Sequence, residues 1–155
     1  MATLHLMVGL PCSGKTTLAK SLEKECNALL LSTDKWHIKL FGKDTHLIDH
    51  NEHDRMHKNI EEIEWEIAKR VLFLGIDVIL DFGFWNREER HYFKSEARKF
   101  GFEFKIHYLD VSEEELFKRL EKRNKELSEE VFKIPKENMK KYIEVFEPVI
   151  EEEKE

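Results

Sequence analysis

The sequence predicts an α/β protein in three layers: a mostly parallel sheet of four to five strands flanked by helices. Three observations predict it. Short apolar runs at residues 3–8, 28–32, 76–81 and 102–109 recur along the chain, and Val78-Ile79-Leu80 is continuously apolar, as in a strand covered on both faces. Segments of helical period lie between these runs. The first run leads through a glycine-bearing loop directly into a helical segment. Strands separated by helices imply right-handed crossovers.

Each element has its own signal. Residues 3–8 form an apolar strand stopped by Gly9. Residues 15–26 read as a helix with Leu18 and Leu22 inward, and 28–32 as a buried strand. Thr33-Asp34 is expected to cap a short helix over 36–41, ended by Gly42. Ile60, Ile63, Ile67, Val71 and Leu74 recur at three or four residues and predict a long helix over 52–74 with that stripe inward, stopped by Gly75. Residues 76–81 form the third strand, 82–86 a loop, 87–100 a helix and 102–109 the fourth strand. Ser112 followed by Glu113, Glu114 and Glu115 suits a helix start. A last helix follows Pro135 and ends near Pro148, and the acidic residues 151–155 are expected to be a solvated tail.

Composition narrows the classes. The 155 residues are 41% hydrophobic and 37% charged, with a formal charge of −6; this allows a packed core and disfavours a broad basic footprint for nucleic acid. Two cysteines make no disulfide framework. No apolar run has the length of a membrane span, and the first residues lack the features of a signal peptide. The expectation is one domain over residues 1–155, cytoplasmic, with no membrane contact, nucleic acid disfavoured as a partner, and a protein partner left open.

Gly9-Leu10-Pro11-Cys12-Ser13-Gly14-Lys15-Thr16 fits the pattern G-x-x-x-x-G-K-[ST]. Its glycines let successive backbone N–H groups turn inward around phosphate oxygens, at the positive end of the following helix. Gly9, Pro11, Cys12, Ser13, Gly14, Lys15, Thr16 and Thr17 are therefore expected to hold the phosphates of a nucleotide, with Lys15 on the β- and γ-phosphates and the Thr16 hydroxyl on Mg²⁺. The fold expected from this Walker A motif is that of P-loop nucleoside triphosphate hydrolases, and ATP with Mg²⁺ the cofactor pair.

Other motifs separate the chemistries. Asn124-Lys125 is followed by Glu126-Leu127, which removes the guanine-reading Asn-Lys-x-Asp. Asp81 is followed by Phe82 rather than by a second, water-activating acid. Asp81-Phe82-Gly83 lacks the accompanying motifs of protein kinases. What remains suits phosphoryl transfer to a hydroxyl. Asp34, just past the second strand, can accept the acceptor's proton or cap the next helix. Asp81 can hold Mg²⁺, orient the acceptor, or serve a turn. Arg119 and Arg123 lie four apart on one helical face; they either close a lid over residues 116–136 onto the phosphates or pair with Glu115 and Glu126 in solvent. The acceptor site is expected to draw on Asp34, His37, Asp81, Trp85 and Arg87.

On these residues the chain resembles the small P-loop kinases of the polynucleotide-kinase-like and zeta-toxin-like group, especially short bacterial ATP-binding proteins of AAA type. The resemblance rests on residues 9–17, on Ser32-Thr33-Asp34, on residues 78–90, on residues 116–124 and on Phe146-Glu147-Pro148. It implies Asp34 as general base, Lys15 and Thr16 as phosphate and Mg²⁺ residues, and Arg119 or Arg123 as the lid arginine. The implied reaction transfers the γ-phosphoryl group of ATP to a small-molecule hydroxyl. The alternatives are a polynucleotide 5′-hydroxyl kinase and a nucleotide-binding regulator without turnover. Polynucleotide kinases of this type carry an arginine three residues after the base; this chain has His37 there, which disfavours a nucleic-acid acceptor.

His46, His50, His53 and His57 are spaced 4, 3 and 4. A shared helical face would make them a metal site, a polar wall of the acceptor pocket, or plain surface. Trp36, Phe82, Phe84 and Trp85 either stack on a ring-bearing acceptor or pack in the core.

Overall fold

In the computed structural model, which describes residues 1–126 and 131–155, the elements run β1 (Thr3–Val8), α1 (Lys15–Cys26), β2 (Leu29–Ser32), α2 (Thr33–Phe41), α3 (Thr45–Ile48), α4 (His50–Phe73), β3 (Val78–Gly83), α5 (Arg87–Phe100), β4 (Glu103–Tyr108), α6 (Glu113–Lys125), α7 (Lys136–Val145) and α8 (Glu151–Lys154). The four strands lie in the order β2-β3-β1-β4, and each pairing is parallel. The apolar runs cross the centre of this sheet because both of its faces are covered. Leu4, Leu6, Val8, Val78 and Leu80 point to the face packed by Trp65, Ala68 and Leu72 of α4 and by Phe93 and Ala97 of α5. Met7 and Ile79 point the other way, against Ala19, Leu18 and Leu22 of α1.

The strand ends that face the glycine loop are locally irregular. β1 and β3 keep register through Leu6↔Leu80, then shift so that Val8 pairs with Gly83. The extra residue in β3 is a bulge, which bends a strand and re-aims its side chains. It falls at Asp81 and Phe82, so β3 runs two residues beyond its expected end at Asp81. Ser32 pairs with Asp81 across β2 and β3; this register sets the start of α2 beside the end of β3.

Four expectations are corrected by the packing. Helix α2 already includes Thr33 and Asp34, and Ser32 is the residue before it; Asp34 therefore sits in the first turn with its carboxylate free for other contacts. The inward face of α4 is turned away from the expected stripe. Ile60 is buried, but Ile63, Ile67 and Leu74 are 55%, 37% and 62% exposed, while Glu64, Trp65, Ala68 and Leu72 are buried. The large ring of Trp65, set edge-on against Phe93, and the close approach allowed by Ala68 fix that rotation. Helix α7 ends at Val145, and the chain then runs extended past Trp85, whose carbonyl accepts a hydrogen bond from the Glu147 N–H at 2.8 Å.

The acidic end is not a solvated tail. It forms α8, and Glu153 receives hydrogen bonds from Arg90 Nε at 2.8 Å and Nη2 at 3.2 Å. Arg90 is 1% exposed and also donates to Phe84 O at 2.9 Å. A buried guanidinium needs such partners. Among the described residues, no helix is long and apolar enough to cross a membrane.

Candidate active site

The glycine loop joins β1 to α1, as its sequence context requires. Gly14 has φ 95° and Cys12 φ 70°, a left-handed bend that glycine adopts freely and cysteine only at a cost. A Cβ on Gly9 would meet Ser13 Oγ at 2.6 Å. The loop is braced from β3's side: Gly9 N–H donates to Gly83 O at 3.0 Å, and the Trp85 indole N–H donates to Gly9 O at 3.1 Å. The leading N–H groups of α1 have no carbonyl of their own helix to bond, so they are free to meet an anion. Ser13 Oγ is buried with no hydrogen-bond partner among the described residues, an orphan that suits a bound phosphate oxygen.

Behind the loop, Thr16 Oγ1 donates to Asp81 Oδ2 at 3.0 Å and Lys15 Nζ lies 3.5 Å from Asp81 Oδ1. The Asp81 side chain is nearly buried. A hydroxyl and a carboxylate at this separation are hard oxygen donors of the kind that take Mg²⁺ together with substrate phosphates. The residues present therefore fit the ion, and Thr16 and Asp81 are the two that would hold it.

These residues line an open cleft of about 1330 Å³. Asp34 and Trp36 from the start of α2 line it too, and Arg119 and Arg123 of α6 line it next to the glycine loop itself. Arg119 Nη1 donates to Cys12 O at 3.2 Å while its Nε pairs with Glu115 at 3.0 Å, so it both meets the loop and keeps the expected helical partner. Arg123 Nη2 donates to Phe132 O at 2.8 Å, and its Nε is buried with no partner among the described residues. The pairing weighed for Arg123 with Glu126 is not what holds it. Of the expected lid, α6 packs on α7 through Leu120, Ile134 and Met139; residues 127–130 lie outside the described residues.

Asp34 Oδ1 is 3.4 Å from His57 Nε2, with its side chain 55% exposed. The carboxylate is thus open to solvent on one side and next to an imidazole on the other, one that burial keeps below its ordinary pKa. Two more acids stand behind it. Glu64 is fully buried with no well-formed hydrogen bond to either carboxyl oxygen among the described residues, and burial, against the nearby Thr33 hydroxyl, pushes its pKa up to about 8. Glu61 is likewise raised to about 8, first by burial and then by Glu89.

Three expected acceptor residues do not reach the cleft. His37 is 0% exposed, with its ring nitrogens at 3.1 Å from His57 Nδ1 and 2.8 Å from Thr45 Oγ1. Trp85 is spent on Gly9 and packs on Tyr142. Arg87 lines a separate groove beside Glu153, 3.7 Å away. Phe84 is core, and Phe82 packs against it; of the four aromatics expected to stack or pack, Trp36 alone lines the cleft.

A family model described as an AAA domain matches residues 4–149. The chain belongs to that family. A sequence search of curated proteins finds no match. Among solved structures, a sugar kinase from Janibacter sp. HTCC2649 is similar at 18% identity and TM-score 0.68, over 99% of this chain and 82% of that one. Kti12 of Chaetomium thermophilum, in complex with ADP-AlF3, is similar at 21% and 0.67, over 94% and 80%. A chain of the Pnkp1/Rnl/Hen1 RNA repair complex is similar at 24% and 0.65, over 93% of this chain but only 43% of that one. At these identities the likeness establishes the fold, a P-loop α/β architecture shared with kinases.

Within this AAA domain, the sequence already singles out the loop, Asp34, Asp81 and the two arginines that line the cleft. It does not single out the Asp34–His57 contact or the buried Glu64. His57 belongs to a recognisable histidine spacing, but its partner is set by how α4 crosses α2. Glu64 lies at the edge of the isoleucine stripe, next to Ile60 and Val71, and the spacing alone does not show that α4 turns to bury this edge.

Proposed function

We propose that this chain is an ATP- and Mg²⁺-dependent phosphotransferase that moves the γ-phosphoryl group to the hydroxyl of a small-molecule acceptor. The observation that carries the reading is the placement of Asp34, a half-exposed carboxylate, in one cleft with Lys15, Thr16 and Asp81. In-line transfer needs little covalent help from protein; it needs positioning and charge stabilisation. The backbone amides of residues 12–16 hold the phosphate chain, and Lys15 leaves Asp81 to bind the β- and γ-phosphates. Mg²⁺ held by Thr16 and Asp81 would neutralise charge on those phosphates. Asp34 takes the acceptor's proton, and His57 keeps the carboxylate oriented. Arg119 and Arg123, carried by α6 as part of a lid, meet the charge that develops on the transferred group.

The test is ATP consumption across a panel of hydroxyl compounds. Lys15→Ala should abolish acceptor-stimulated turnover, and Asp34→Asn should lower kcat about 10²-fold, the low end of general-base contributions. Wild-type rates in either variant would overturn the assigned role. Labelled-phosphate transfer to a 5′-hydroxyl oligonucleotide separates the polynucleotide reading. Nucleotide binding without any turnover would favour a regulator.

A further inference from the structure

Beneath the cleft wall, four histidines from three helices converge. His37 (α2), His53 and His57 (α4) place one ring nitrogen each within 4.8 Å of one another. The His37 and His57 Nδ1 atoms are 3.1 Å apart. A tetrahedral ion with metal–nitrogen bonds of about 2.0 Å sets its ligand nitrogens about 3.3 Å apart, so this pair already stands close to a ligand edge. His50, by contrast, turns outward to Asp54.

We propose that His37, His53 and His57 form a binding site for a borderline-soft divalent transition ion, zinc foremost. The outer contacts are those of a built site. Metal-bound imidazoles present their second nitrogen to an oxygen that fixes ring and tautomer. Here His57 Nε2 faces Asp34 Oδ1 at 3.4 Å, His37 Nε2 faces Thr45 Oγ1 at 2.8 Å, and the same hydroxyl lies 2.7 Å from His53 Nδ1, leaving the other His53 nitrogen as its ligand atom. An independent observation points the same way. His46 is 8% exposed, its Nε2 is engaged by Lys133 O at 2.6 Å, and its Nδ1 is buried with no partner among the described residues. Its ring centroid lies 5.5 Å from that of His53, which sets this unpartnered imidazole against the cluster. Phe132 closes the cluster with edge contacts to His37, His46 and His53. Imidazole donors with no thiolate or acidic cage favour zinc-like ions over Mg²⁺ or Ca²⁺. The site lies apart from the pair Thr16 and Asp81.

The experiment titrates Co²⁺, then Zn²⁺, into nucleotide-free full-length protein, so its outcome does not depend on any kinase activity. The expected result is one bound Co²⁺ with the visible absorption of a nitrogen-ligated tetrahedral ion, displaced by Zn²⁺. In wild-type protein, Zn²⁺ should shift the ring ¹⁵N signals of His37, His53 and His57 and leave that of His50 in place. His53→Gln should lose the absorption, His50→Gln should keep it, and Asp34→Asn should weaken binding about tenfold, as loss of an outer partner does. A second triad, His5, Cys26 and Asp77, is the competing location; binding there would show thiolate-to-cobalt charge transfer that disappears in Cys26→Ser. Absence of Co²⁺ and Zn²⁺ binding, binding that survives His53→Gln, or ring shifts confined to His5 would each overturn the proposal, leaving the histidines as a hydrogen-bonded polar core. Should His53→Gln fail to fold, the wild-type ring shifts decide alone.

Discussion

Glu64 is a carboxyl group whose chemistry departs far from that of an ordinary glutamate. It sits in the middle of α4, buried beside the cleft, with Asp34 and Asp81 adding to the burial that holds its proton. An unfolded chain releases that proton near pH 4.5, while the folded chain keeps it to about pH 8. The unfolded state therefore binds fewer protons across this window, and stability falls as pH rises through it. Gln has the same shape and no proton to lose. Glu64→Gln should thus raise the melting temperature at pH 8 and leave it unchanged near pH 4.5, as calorimetry at the two pH values would show. An unaltered pH 8 value would mean that Glu64 ionises in the folded protein. No sequence rule marks Glu64: it is one of many glutamates in a charged chain, and its burial follows from the rotation of α4. Lys15 and Thr16 are the opposite case, because their roles follow from a loop geometry encoded within eight consecutive residues.

The same contrast holds for elements. Strand β1 and helix α1 take their boundaries from local signals, apolar continuity and Gly14, and they match the expected ranges. Strand β3 runs past its expected end because a bulge adds a residue that no propensity reveals. Helix α4 shows where periodicity misleads. Its isoleucines at positions 63 and 67 obey the helical spacing yet face outward, since a spacing of three or four defines a stripe without saying which stripe the sheet will cover. Substitution separates the two faces. Leu72→Ala, at 2% exposure, should cost about 2–5 kcal/mol by transfer and cavity terms. Ile63→Gln, at 55% exposure, should stay within about 0.5 kcal/mol. Denaturant midpoints of the two variants test this, and a larger loss for Ile63→Gln would restore the isoleucine stripe as the buried one.

Across the whole molecule, two sets of groups pull stability in opposite directions with pH. Burial lowers His37 and His107 to about 4 and His53 to about 3, from 6.5. The unfolded chain binds their protons first, so stability falls as pH drops below about 6.5. Glu61 and Glu64, raised to about 8, make it fall as pH climbs from 4.5 towards 8. His5 and His57 are lowered and Glu89 is raised by burial as well, so with five histidines against three glutamates the acid limb prevails below about pH 6.5 and the alkaline limb remains above it. The melting temperature should pass through a maximum near pH 6.5, and a profile that rises steadily to pH 8 would contradict it. The order β2-β3-β1-β4 carries a further consequence for how the chain is made. Each of these pairings includes β3 or β4, so a chain emerging from the ribosome holds β1 and β2 with open edges until residue 78 and its successors are free. The hydrogen bonds to Gly83 and from Trp85 that brace the glycine loop can form only then, and until that point protection of the nascent apolar strands falls to chaperones or to speed.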